Sequence, residues 1–140
     1  MSFRYLCEKK LGAHIYLNSE NNNIITELQK LGGARVILAT APSGKSISPL
    51  VDALGNKGEL VIVGASNDPI EVISIQLIRR NRSIKGWPSG SAIDSEDTLK
   101  FCALTGIRPM IQQYPLDKAG DAFEDMMSNK ARFRSVITMN

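Results

Sequence analysis

The 140-residue chain has the length of one ordinary domain, and its 43% hydrophobic and 22% charged residues are the composition of a globular protein with a single core. Its longest apolar run, Val72 to Ile78, is interrupted by Ser74 and Gln76 and excludes a membrane-spanning helix, while the N-terminus offers neither the apolar stretch nor the cleavage site of a secretory signal, so cytoplasmic residence is expected. The net charge is +3, and the basic stretch Arg79, Arg80, Arg82 and Lys85 lacks interleaved aromatic residues, which argues against nucleic acid and for a solvated turn or a site for a phosphate-bearing cofactor.

Strand and helix alternate along the chain. His14–Leu17 is predicted as a short strand, followed by the polar Asn21-Asn22-Asn23 loop and a helix with Ile24, Ile25, Leu28 and Leu31 on one face, ended by Gly32-Gly33. Arg35–Thr40 is a β-favouring run of the kind buried on both faces of a parallel sheet. A second helix is predicted from the spacing of Ile47, Leu50, Val51 and Leu54, with Pro49 in its first turn and Gly55 as its stop. Glu59–Gly64 and Ser83–Trp87 are the next strands, separated by a helical turn around Ile75 to Ile78. Short connections between such elements imply right-handed crossovers and a parallel sheet.

In the last third, Asp94 or Ser95 is expected to cap a helix closed by Gly106, with Glu96 and Asp97 in its first turn. A strand over Pro109–Tyr114 follows. The stripe Ala119, Ala122, Phe123, Met126 and Met127 predicts a helix with the two methionines in the core, and Arg134–Met139 a terminal strand. Cys7 and Cys102 match neither a disulfide framework nor a zinc spacing and are read as reduced thiols.

From Leu11 to Met139 the chain resembles the second half of the medium-chain dehydrogenase/reductase family, nearest its zinc-dependent alcohol dehydrogenases. The pieces that carry the resemblance are Leu11–His14, Ala39–Ala41, Gly58–Gly64, Ile84–Gly86, Asp94–Phe101, Pro109–Ile111, Tyr114–Leu116, Ala119–Met127 and Lys130–Met139, in that order. The resemblance implies an α/β fold: a partial Rossmann-like parallel sheet with flanking helices over residues 1–105, and a helix and strand of the catalytic-domain part over 106–140. It places NAD or NADP at the carboxyl ends of the strands. Thr40, Ala41, Val63, Gly64, Ala65, Gly86 and Trp87 would then face the cofactor. A glycine at position 64 would let a flat nicotinamide approach the backbone, or would merely permit a tight turn. Arg134 matches a position whose guanidinium reaches the pyrophosphate, with Arg132 a weaker substitute, and Trp87 would border the substrate pocket.

Other parts of the family pattern are missing. No G-x-G-x-x-G or G-x-G-G-x-G occurs, so the main phosphate cradle is lacking and cofactor binding is expected to be weak or absent. The one histidine, His14, is read as structural, and no set of catalytic or zinc-ligating residues can be assembled. The segment Met1–Arg4 and Lys9–Ala13 is similar to the family's region around its second strand with residues missing between. A truncated, inactive oxidoreductase is therefore expected. Its surviving strands would hold positions 3, 4, 5 and 6 of the usual order, and their open edges imply a homo-oligomer or pairing with a homologue, the alternative being a non-catalytic interaction module. The resemblance implies pairing through the Ser83–Trp87 edge.

Overall fold

The computed structural model describes residues 11–20 and 22–139. Their contacts divide the chain into two compact units, one ending at Ser89 and one beginning at Gly90. Cys7 and the similarity of Met1–Arg4 and Lys9–Lys10 lie outside the described residues, as does Asn21 of the polar loop.

The first unit opens without the predicted strand. Residues 14–17 have no ladder and His14 is exposed, because a β-strand exists only through a neighbour and the described residues provide none for this segment. The first helix, α1 (Ile24–Lys30), is where the spacing put it. Asn23 caps it by accepting from the Thr26 N–H at 3.1 Å. Its other end closes as a Schellman motif: the Gly33 N–H donates to the Leu28 carbonyl at 2.8 Å and the Gly32 N–H to the Gln29 carbonyl at 2.9 Å.

Three parallel strands follow, β1 (Ala34–Ala39), β2 (Leu54–Ile62) and β3 (Ser83–Gly86), side by side in the order β1-β2-β3. The predicted single helix between β1 and β2 is instead α2 (Gly44–Ile47) running into a 3₁₀ turn over Ser48–Ala53. Pro49 explains the change: its ring opposes the carbonyl one turn back, so the α-helix cannot propagate through it. Leu54 therefore starts β2, and Gly55 sits inside that strand. The apolar face nonetheless survives, with Ile47, Val51 and Leu54 at 2% exposure or less.

The core of this unit is Ala39, Ile47, Val51, Leu54 and Leu60, with Ile37, Ile62 and Ile84 packed against it. These strand residues share one side of the sheet by their register, Ile37↔Leu60↔Ile84 and Ala39↔Ile62. Val36 and Leu38 point to the other side and remain 57% and 60% exposed. The expectation that β1 is buried on both faces is thus corrected: the described helices cover one face of it. A short helix, α3 (Ser74–Ile78), connects β2 to β3 as predicted.

In the second unit, α4 (Ala92–Thr105) begins three or four residues before the start expected from a cap at Asp94 or Ser95. Ser91 is its cap. The Asp94 carboxylate accepts from the Ser91 N–H and hydroxyl, both at 2.7 Å, while the Asp94 N–H faces the Ser91 oxygen at 3.4 Å. The Ser91 hydroxyl and backbone hold the Asp94 carboxyl below its ordinary range. A carboxyl with a depressed folded value stabilises the fold above its unfolded value, and that contribution is lost as pH falls through the folded one. Helix content near α4 is therefore expected to decline on acidification below the ordinary carboxylate range. Ser91→Ala should cost about 1 kcal/mol in urea denaturation and should remove much of that acid sensitivity. An unchanged midpoint would show that the cap does not hold the helix.

The remaining strands, β4 (Ile111–Pro115) and β5 (Arg134–Thr138), pair in parallel as a separate two-stranded sheet. Between them runs α5 (Ala119–Met127). Its buried residue is Ala122. Phe123, Met126 and Met127 are 60%, 52% and 68% exposed, which corrects the reading of the methionine pair as core. The stripe's period was right, but Ala122 and the half-buried Asp125 mark the side that meets the sheet, where the Tyr114 hydroxyl donates to Asp125 Oδ2 at 2.7 Å. That hydrogen bond pushes the Tyr114 phenol up from its ordinary value.

Candidate functional site

Parallel register sets the three strands of the first unit to end together. Ala39, Ile62 and Gly86 are neighbours across the sheet, so the residues that follow them emerge along one edge. Thr40 and Ala41 leave β1; Val63, Gly64 and Ala65 leave β2; Gly86 ends β3 and Trp87 follows. Backbone hydrogen bonds tie these exits to each other. The N–H groups of Val63 and Gly64 donate to the Ala39 carbonyl at 3.0 and 3.1 Å, and the Trp87 N–H donates to the Ile62 carbonyl at 2.9 Å.

Gly64 has a reason that sequence alone left open. A Cβ there would lie 2.6 Å from the Thr40 carbonyl oxygen and 2.7 Å from that of Ala41, so a glycine is needed for the β1 and β2 exits to pass each other. At Gly86 a Cβ would meet nothing within 4 Å, which leaves open space at the end of β3. Val63 and Trp87 are 41% and 56% exposed beside it.

Sequence reasoning missed one member of this edge. Lys85 was grouped with the basic stretch, but its ammonium stands 4.6 Å from the centroid of the Trp87 ring, a cation–π contact. The i, i+2 spacing of the two residues along one strand was the signal, since such residues share a face. The three arginines of the stretch lie at the opposite, amino-terminal end of β3.

Seven of the eight predicted cofactor-facing residues thus share one edge of the first unit. The eighth, Arg134, belongs to the second unit, where it opens β5 opposite Ile111 with its side chain exposed. Among the described residues no group of three or more His, Cys, Asp or Glu side chains converges. The donor set among the described residues therefore does not fit a three-ligand zinc site. No helix among the described residues is long and apolar enough to cross a membrane.

Comparison with known proteins accords with this architecture. A family profile described as zinc-binding dehydrogenase matches residues 4–104. The alcohol dehydrogenase patD of Penicillium expansum is 46% identical over 131 residues, covering 94% of this chain and 38% of that relative. The alcohol dehydrogenase notN of an Aspergillus species is 38% identical over 133 residues, covering 94% of this chain and 39% of its own length. A solved cinnamyl alcohol dehydrogenase of Sorghum bicolor superposes with a TM-score of 0.81 at 29% identity, over 96% of this chain and 37% of the other. The chain thus spans less than two fifths of the length of these relatives. With a parallel Rossmann-like sheet and these similarities, the chain belongs to the zinc-binding dehydrogenase family.

Proposed function

We propose that the carboxyl edge of the first unit is the nicotinamide half of an NAD(P) site, weak or vestigial here, of the kind that serves hydride transfer between an alcohol and an aldehyde in intact relatives. The observation that carries this reading is the convergence of three strand exits on one exposed edge, where an open α/β sheet offers its crevice. The cofactor, when bound, supplies or accepts the hydride. Thr40, Ala41, Val63, Gly64 and Ala65 would flank the ring, and Gly86 leaves room for it beside Trp87. Trp87 would also border the alcohol; for Arg134, the family resemblance alone supports a role at the pyrophosphate, which suits a guanidinium fork.

In this reading residues 1–105 are the nucleotide-binding portion and residues 106–140 belong to the catalytic part. The 140 residues by themselves bind the cofactor weakly, because the sequence has no glycine-rich turn to cradle its phosphates. They do not turn over alcohol, because no zinc-ligand set is present among the described residues. The place of action is the cytoplasm.

The test is a titration of the chain with NADH and NADPH followed by nicotinamide fluorescence. Saturable binding is expected, weakened about tenfold by Arg134→Ala through loss of one charged hydrogen-bonding pair. Absence of saturation at millimolar concentrations of both cofactors would reject the half-site, and oxidation of benzyl alcohol by the chain alone would reject its inactivity.

A second reading rests on β3, which is an edge strand in the order β1-β2-β3 and leaves one side of its backbone unpaired by the described strands. Pairing with another copy, or with a longer homologue, would satisfy that side. Sedimentation of the chain alone and mixed with such a homologue decides it: a strictly monomeric chain in both would exclude the interaction role.

A further inference from the structure

We propose that the arginine-lined pocket at the amino-terminal end of the sheet in the first unit binds a small organic phosphate. The pocket measures about 610 Å³, a size that suits a small molecule. Asp52 stands just before β2 and Arg82 just before β3, so the pocket and the strand exits occupy opposite ends of the same sheet. It is a different site from the proposed nicotinamide edge.

Its charge is built rather than scattered. The Arg82 side chain is only 7% exposed. Nη1 of Arg82 donates to Asp52 Oδ1 and to the Gln76 carbonyl, each at 3.2 Å, and Nη2 donates to the Leu54 carbonyl at 2.7 Å. The second Asp52 oxygen accepts from Gln76 Nε2 at 2.8 Å. Both oxygens of the pocket's one carboxylate are therefore occupied, and its charge is matched by Arg82.

Among the described residues, Arg79 and Arg80 have no ion-pair partner, and both stand on the same wall. Arg80 is held: its Nη1 donates to Gln29 Oε1 at 2.7 Å, and the Gln29 amide nitrogen is anchored on the carbonyls of Asp52 and Leu54 at 2.7 and 3.0 Å. The Arg79 side chain makes no hydrogen bond or ion pair among the described residues. One guanidinium is thus pre-positioned and one is free to close, an arrangement suited to the several oxygens of a phosphate. Beside them, Ile73 and Ile75 are 64% and 42% exposed in the same pocket. Apolar walls next to these arginines match a ligand with a phosphate head and an apolar body.

A purely structural account also exists: the arginines would compensate the carbonyl end of α3 and tie it to α1 and the 3₁₀ turn. The two accounts separate in calorimetric titrations of the whole 140-residue chain with phenyl phosphate, inorganic phosphate and benzoate. Phenyl phosphate should bind saturably and about tenfold more tightly than either of the others, each of which lacks one half of the match. The double variant R79A/R80A should weaken it at least about tenfold, whereas Arg134→Ala should leave it unchanged. Ile75→Glu sets a carboxylate on the exposed wall and should weaken binding as a second test without touching an arginine. Circular dichroism confirms that each variant is folded. No saturable binding of phenyl phosphate, binding indifferent to R79A/R80A and Ile75→Glu, or equal affinity for benzoate would overturn the proposal. Failure of the unaltered chain to bind NADH or NADPH, with phenyl phosphate binding intact, would reject the nicotinamide half-site alone.

Discussion

Leu60→Ala is expected to lower the stability of the first unit by about 2 to 5 kcal/mol, read as a shift of the urea midpoint at unchanged slope. Leu60 is fully buried at the middle strand, between Ile37 on one side and Ile84 on the other, and it touches the cluster of Ile47, Val51 and Leu54. The loss has two sources, the transfer free energy of the deleted methyl groups and the void they leave among side chains that relax only in part. Because whole domains are stable by only about 5 to 15 kcal/mol, such a change would remove a large share of the margin that keeps the unit folded. Leu38→Ala on the same sheet is the control. Leu38 is 60% exposed, so its truncation should cost under about 1 kcal/mol. A drop at Leu38 as large as that at Leu60 would mean that the second face of β1 is covered in solution.

The second large effect is expected at Gly33. Its φ of +82° lies in the left-handed region, and a Cβ would stand 2.5 Å from both Cα and N of Gly55. An alanine there meets two penalties: about 1 to 2 kcal/mol for the conformation, and about 1 to 3 kcal/mol for forcing two backbones apart where β2 begins. Gly33→Ala should thus lose roughly 2 to 5 kcal/mol by urea denaturation. Its neighbour Gly32 has φ of +93° with nothing within 4 Å of the missing Cβ. Gly32→Ala should therefore lose only the conformational part, about 1 to 2 kcal/mol. Equal losses at both positions would mean that the close approach of Gly33 to Gly55 is not maintained in solution.

The sequence made the parallel strands legible because each is a short β-favouring run bounded by turn residues, and the structure moves their ends by a few positions only. It was less informative where tertiary context decides. Pro49 stood at an acceptable place for a first helical turn, yet the helix had already begun at Gly44, so the same residue became a breaker. Ser91 outcompeted Asp94 and Ser95 as cap because Asp94 serves better three residues inside, where its carboxylate can reach back. The Ala119–Met127 stripe announced a helix but could not say which flank meets the sheet; periodicity carries no record of what lies opposite.

At the candidate site, the edge residues were placed by resemblance, and parallel register then brought seven of them together. The requirement at Gly64 could not be read locally, since it arises from carbonyls of another strand's exit. The arginine pocket was less visible still. Sequence showed a run of basic residues, whereas the partners that organise it, Asp52 and Gln29, lie 30 and 51 positions from Arg82 and Arg80 respectively. Charge density is a local property of a sequence, and charge compensation is not.

The contact between Lys85 and Trp87 gives the molecule an optical asymmetry. Trp87 is the chain's single tryptophan and lies in the first unit, whereas the second contains no indole and one phenol, that of Tyr114 on Asp125. Light absorbed at the red edge of the aromatic band at neutral pH therefore reports on the first unit alone, whereas phenol ionisation sums Tyr114 with Tyr16 of the first unit. Whether the two units melt in one cooperative step or in two can be followed in the unlabelled chain by comparing tryptophan emission, which sees the first unit, with helix content, to which both units contribute.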